Sequence, residues 1–252
     1  MLTQILWWSG NVYLPFLLAR AITKRFFTKY LIFYVYLSHV LVLMLLRFFF
    51  YRVGPSAYRT FYWNTEFVSV AIGYCVIWEI YQQALAPYPG TLQLARGVVL
   101  SIFILVVTKT LINSLTGPIW GPVQTVVELE RNLRGVQAVL LIVVVSVMTY
   151  YMIPIGRNLR GIILGYGFFI GTGVINLAFR SQIGDAFQSW WRYLQPTAWL
   201  ITLIIWSATL WSYHPNPTPD VDIEIEHDYE WLSARTAQVV ARARGHVIRG
   251  VR

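Results

Sequence analysis

Cysteine and negative charge are both scarce in this chain. The single cysteine, Cys75, sits inside an apolar run, which excludes an intrachain disulfide and any cysteine-based zinc spacing. Eleven Asp and Glu stand against twenty Lys and Arg, and all charged residues together make up only 12% of the chain, roughly half the share of a soluble domain. The net charge of +9 would suit nucleic acid if it were gathered on one soluble face. It is instead spread over loops and helix ends, so nucleic acid is not an expected partner. Short catalytic motifs are missing too. There is no Walker loop, HExxH, Gly-x-Ser-x-Gly or CxxC, and no serine falls with a histidine and a carboxylate at matched depths. Histidines do not pair for a haem: His39 is mid-span, whereas His214 follows the last apolar run and His227 and His246 lie in the tail. That last run, Tyr193 to Tyr213, lacks a lysine for a retinal Schiff base, and Lys109 is in a different run. No cofactor and no metal site is expected. Catalysis without a short motif stays open, with no residues assigned to it.

What the chain has in abundance is apolar and aromatic surface, at 57% and 16% of residues with mean hydropathy +0.55. This composition belongs to an all-α polytopic membrane protein. A span needs about 20 mostly apolar residues, and the stretches 3–21, 30–51, 62–84, 94–115, 134–153, 160–181 and 193–213 qualify. They predict a seven-helix transmembrane domain over 1–213, followed over 214–252 by a proline-rich linker and a charged tail. Pro55, Pro87, Pro89, Pro118, Pro122, Pro154, Pro215, Pro217 and Pro219 fall between or after spans, while Pro15 and Pro196 lie within or near span ends. The first run has no basic residues ahead of it and no small-residue cleavage site, so it reads as a retained span.

Lysine and arginine set the orientation. With the N-terminus outside, Arg20, Lys24, Arg25, Lys29, Arg96, Arg157, Arg160 and five tail arginines are cytoplasmic. Arg47, Arg52, Arg59, Arg131, Arg134, Arg180 and Arg192 then lie at or near outer ends, and Lys109 within a span. The long first basic loop decides for a cytoplasmic C-terminus. Tryptophan and tyrosine pairs such as Trp7–Trp8, Tyr62–Trp63, Tyr150–Tyr151 and Trp190–Trp191 mark span ends, where amphipathic rings favour the headgroup layer. The stretch 116–133, with two Gly-Pro pairs, is expected to be a stiff outer loop, a candidate lid.

The sixth span, RNLRGIILGYGFFIGTGVINLAFR from Arg157 to Arg180, holds five glycines. Small residues four apart let another helix approach closely in lipid. Gly161 and Gly165 form such a seam, continued by Thr172, Asn176 and Arg180, whereas Gly167 and Gly171 lie on another side. This helix is therefore expected to touch protein on two faces. The tail is expected to be helical from about Asp222 to Arg249, acidic at its start and basic at its end. Leu232, Val239, Val240, Ala243 and Val247 share one face of it, suited to the membrane surface or to a partner helix.

Ionisable groups in membrane helices are functional candidates by default. Arg47, Glu66, Lys109, Asn113, Asn176 and Arg180, from four spans, are expected in one layer in the outer half, with Asn64 close by and Glu128 and Glu130 above. Cations exceed carboxylates there, which points to a small anionic or zwitterionic ligand or a lipid headgroup. An ordering salt-bridge layer would use the same residues. Glu79, about 20 Å from Glu66 along the helix, is expected to pair with Arg157, Arg160 or His214. His39 is expected to bond a neighbouring hydroxyl.

RNLRGIILGYG at 157–167, YQQALAPYPG at 81–90, ELERNLRGVQA at 128–138 and YHPNP at 213–217 together resemble a group of uncharacterised multi-pass proteins of acidobacterial type. The resemblance spans almost the whole chain and implies an intact inner-membrane protein with no known activity. The leading expectation is a non-enzymatic receptor-like or accessory membrane protein. Its partners are membrane lipids, a small ligand in the outer pocket, and a protein or the membrane at the 222–249 helix. The alternatives are a secondary transporter and a structural subunit of a larger complex.

Overall fold

The computed structural model describes residues 2–88, 90–93, 97, 100–102, 104–105, 108–109, 112, 122–183, 185–217, 228, 230–236 and 238. Among them there is no strand. Helix α1 runs Leu2–Thr23, α2 Leu31–Val53, α3 Pro55–Leu85, α4 Pro122–Tyr150, α5 Arg157–Ile183 and α6 Asp185–Thr209. The described residues between 90 and 112 and between 228 and 238 are also helical. Three of the six long helices carry a stretch long and apolar enough to cross a membrane: Leu31–Phe50, Asn132–Tyr150 and Arg157–Asn176. Around them the outward side chains are large and apolar, including Val42, Leu45 and Phe49 on α2, Val139 and Ile142 on α4, and Leu164 on α5. Apolar surface so continuous calls for a lipid rather than a water environment.

Contacts run from α1 through α2, α3, α4 and α5 to α6, and from α6 back to α1, so the helices close a ring; α3 also touches α5 across it. Two tyrosines fix the direction of one neighbouring pair. Tyr74 of α3 donates its hydroxyl to Leu133 O of α4 at 2.9 Å, and Tyr81, two turns on, donates to Leu140 O at 3.2 Å, also two turns on. The pair is parallel. Antiparallel neighbours need only a turn, but parallel ones require the chain between them to travel back along the bundle.

Three helices begin well before the predicted apolar spans, and the reason is local. Pro55 starts α3 directly after Gly54, whose φ of 150° is open to glycine and strained for any side chain. Pro122 is likewise the first residue of α4, where its missing N–H would have had no helical partner. Residues 122–133 thus belong to a helix, which corrects the expectation of a loop from 116 to 133. At α6 the helix starts at Asp185 rather than near 193. These polar beginnings escape a criterion based on apolar length.

The two faces of α5 are occupied as expected. On one, a side-chain carbon at Gly161 would fall on Thr209, and one at Gly165 on the Trp206 indole, both from α6. Trp206 is fully buried and stands edge-on to Phe33 and to Trp199. On the other face, a carbon at Gly167 would meet Leu141 of α4 at 3.1 Å. Tyr166, also buried, reaches across to Gly73 of α3 and packs edge-on against Tyr36 of α2. Glycine at 73, 161 and 165 is thus a requirement of close approach.

Candidate functional site

The ends of α1, α3, α4 and α6 and the beginnings of α2 and α5 meet where the chain leaves α6, here termed the exit end. The amides at the start of α2 lack a cap from their own segment, because Tyr30 supplies no side-chain hydrogen bond. Glu79 of α3 takes that place: Ile32 and Phe33 donate their backbone N–H groups to its two carboxylate oxygens at 3.0 and 2.8 Å. A helix start carries unsatisfied N–H groups and partial positive charge. The carboxylate, only 7% exposed, is balanced by that helix end, which corrects the expected pairing with Arg157, Arg160 or His214.

Asn158, wholly buried in the first turn of α5, acts as a hub. Its amide donates to Thr209 O and to Ser212 O at 2.8 Å each, and its carbonyl accepts the N–H of His214. Asn216 accepts the Gly156 N–H at 3.0 Å and donates to Gln83 O at 3.1 Å, while Gln83 donates to Lys29 O at 2.9 Å. Arg20 donates to Trp211 O at 2.7 Å and lies 3.5 Å above the Trp211 ring; Arg157 donates to Ala208 O at 2.8 Å. The last carbonyls of α6, which a helix leaves without internal donors, are thereby satisfied by side chains from two neighbouring helices. Beyond this clasp, Tyr151, just past the end of α4, donates to Asp228 of the tail at 3.1 Å.

The second polar layer lies deeper. His39 meets Ser69 Oγ at 3.2 Å, as expected of a bond to a neighbouring hydroxyl, and Ser69 donates to Thr65 O at 3.0 Å. Gln137 of α4 is 2% exposed and donates to Val70 O of α3 at 2.7 Å.

Because Glu79 and Ile32 are bonded, they share a level, and heights can be counted from it. Arg47 along α2 and Glu66 along α3 then both stand about 20 Å from the exit end, at 1.5 Å per residue. The same count places Gly173 within about one turn of them, two turns beyond Tyr166, whose hydroxyl reaches Gly73. Arg134 of α4 brings its guanidinium to this height: Nη1 would lie 3.6 Å from a side-chain carbon at Gly173. Arg47 is half-buried, its guanidinium carbon 4.4 Å from the centre of the Tyr62 ring. Asn176 is half-buried about one turn above Gly173.

No protein-family model, curated protein or solved structure matches this chain. Its chemistry must be read from its own geometry.

Of the six residues expected to form the site, Arg47 and Asn176 are placed half-buried and Lys109 exposed. Glu66 and Arg180 are placed on α3 and α5 by their backbone, their side chains lying outside the described set, as do those of Glu128 and Glu130; Asn113 lies wholly outside it. Arg134 is the addition that sequence reasoning missed. Placed at the outer end of a span and paired with Arg131 as a contact for lipid phosphate or a carboxylate, it was left out of the expected layer; with α4 beginning at Pro122 it stands three turns inside a helix. A proline heading a polar but helix-compatible segment was the available clue. Two half-buried guanidiniums at one level can hold an anion by bidentate hydrogen bonds, and the Tyr62 face offers Arg47 a fixed orientation.

Proposed function

We propose that this chain is a non-enzymatic, receptor-like or accessory integral membrane protein with seven spans. Its layer of Arg47, Glu66, Lys109, Asn113, Asn176 and Arg180, extended by Arg134, binds a small anionic or zwitterionic ligand or a lipid headgroup. The observation that carries the reading is the common level of Arg47 and Arg134 on separate helices, where two guanidiniums offer bidentate donors to one anion. The seventh span is supported by the parallel α3 and α4, which demand a full-length return between them. A cytoplasmic exit end in a bacterial inner membrane is supported by the gathering of Arg20, Lys24, Arg25, Lys29, Arg157 and Arg160 around that end. The tail helix then faces the cytoplasm, available to a partner or to the membrane surface. A transporter would be expected to carry broken helices around its site; the glycine-rich α5 runs unbroken from Arg157 to Ile183.

The test is gentle purification followed by native mass spectrometry for retained small anions, on the wild type and on Arg47→Ala and Arg134→Ala. Each substitution is expected to lower retention at least tenfold, about the loss of one charged hydrogen-bond pair. Retention unchanged in both variants would refute the site.

A further inference from the structure

The proposed ligand layer leaves the exit-end face of α6 without a role. A depression of about 390 Å³ lies there, lined by Tyr13 of α1, Arg157 of α5, and Ile204, Ser207, Ala208, Trp211 and Ser212. Its lining combines the Arg157 guanidinium with the apolar side chains of Ile204 and Ala208. Arg157 lines it and uses one N–H on Ala208 O, while Arg20, stacked 3.5 Å over the ring of the lining Trp211, uses Nε and Nη2 on Trp211 O. A guanidinium carries five donors, so both retain several after securing the α6 carbonyls. Deeper along the same helix face, Ile204 and Ile201 are 49% and 40% exposed. Ser207 is 8% exposed, and its hydroxyl has no hydrogen-bond partner among the described residues. That hydroxyl, on a residue that lines the depression, lacks an acceptor that an ester or phosphate oxygen would provide.

We propose that this depression seats one anionic phospholipid of the leaflet at the exit end. The phosphate lies between Arg20 and Arg157 at the level of the Trp211 indole, the glycerol ester oxygens pass Ser207, and one acyl chain runs over Ile204 and Ile201. Charge complementarity selects the occupant, because a zwitterionic choline lipid brings its own cation to two arginines. The exposed apolar floor selects a lipid over a free phosphate, which has nothing to bury there. The site is separate from the deeper ligand layer, so either can fail alone.

The experiment is native mass spectrometry of the full chain exchanged into mixed micelles with equal phosphatidylglycerol and phosphatidylcholine. One phosphatidylglycerol is expected to be retained with about 25-fold preference, from two arginines at about fivefold each. Arg20→Gln with Arg157→Gln is expected to abolish the preference. Ala208→Trp, which fills the groove and keeps both cations, is expected to lose the lipid while the melting temperature and helical circular dichroism stay within range of the wild type. Arg235→Gln, on the tail, is expected to change nothing. Equal retention of the two lipids by the wild type, unchanged preference in Ala208→Trp, or displacement of the bound species by millimolar inorganic phosphate would each overturn the proposal.

Discussion

Replacing Gly165 with alanine should destabilise the protein, although alanine is the better helix former. An added methyl would lie 2.7 Å from Trp206 Cδ1 and 2.9 Å from Cε2, with Nε1 closer still. The indole has nowhere to go. It is fully buried, held edge-on by Phe33 at 5.0 Å and Trp199 at 5.9 Å between ring centres, so α5 and α6 must part. Overpacking of this kind costs about 1–3 kcal/mol, offset by up to about 1 kcal/mol of helix propensity. Gly171, on the same helix, has no atom within 4 Å of the corresponding position. There Gly171→Ala should gain a few tenths to about 1 kcal/mol. The assay is thermal melting of both variants in one detergent, followed by tryptophan emission, to which the buried Trp206 contributes. The expected result is two shifts of opposite sign, several degrees downward for Gly165→Ala and upward for Gly171→Ala. Pairing Gly165→Ala with Trp206→Leu should recover part of the loss in a double-mutant cycle. If both single variants shift upward, propensity dominates, and the account of α5 as a close-packed seam fails.

Glu79→Ala should cost about 2–4 kcal/mol, since it strands two buried N–H groups at the start of α2; Glu79→Gln, which keeps one acceptor, should cost about half as much in the same melting assay. Asn158→Ala removes three hydrogen bonds and should cost about 2–4 kcal/mol. Its signature is faster hydrogen exchange at His214 and its neighbours, whereas a purely local effect would leave that segment protected. Asn216→Ala should loosen the Gly156 turn and the end of α3 together, by about 1–2 kcal/mol, and a cycle with Gln83→Ala should show coupling.

Much of the fold was legible because lipid imposes a simple length rule on apolar runs, and α1, α2 and α5 begin and end within a few residues of the predicted spans. The seam at Gly161 and Gly165 was legible for a similar reason: four-residue spacing of small side chains has few other uses in a membrane helix. The polar starts of α3, α4 and α6 were not, because a helix extending past the apolar layer leaves no hydropathy signal. That same blindness hid Arg134. The partner of Glu79 was hidden differently. A carboxylate looks in the sequence for a basic side chain, yet the positive end it found is a helix terminus, which has no letter of its own. Asn158 and Asn216 stand inside RNLRG and YHPNP, segments noticed for their distinctiveness, but their bonds cross 51 to 133 residues, and no local pattern encodes such distances.

The clasp at the exit end also bears on the order in which the protein is made. Arg20 waits for Trp211 across 191 residues, and Gln83 waits for Asn216 across 133. The first loops to emerge from the ribosome are thus held by nearly the last segment of the bundle. Until Tyr213–Pro217 arrives, Asn158 lacks the N–H of His214, and Gly156 and Gln83 lack Asn216, so the turn before α5 stands exposed to whatever surveys nascent membrane proteins. A chain stopped at residue 209 would carry α1 to α6 and still be recognisable as unfinished.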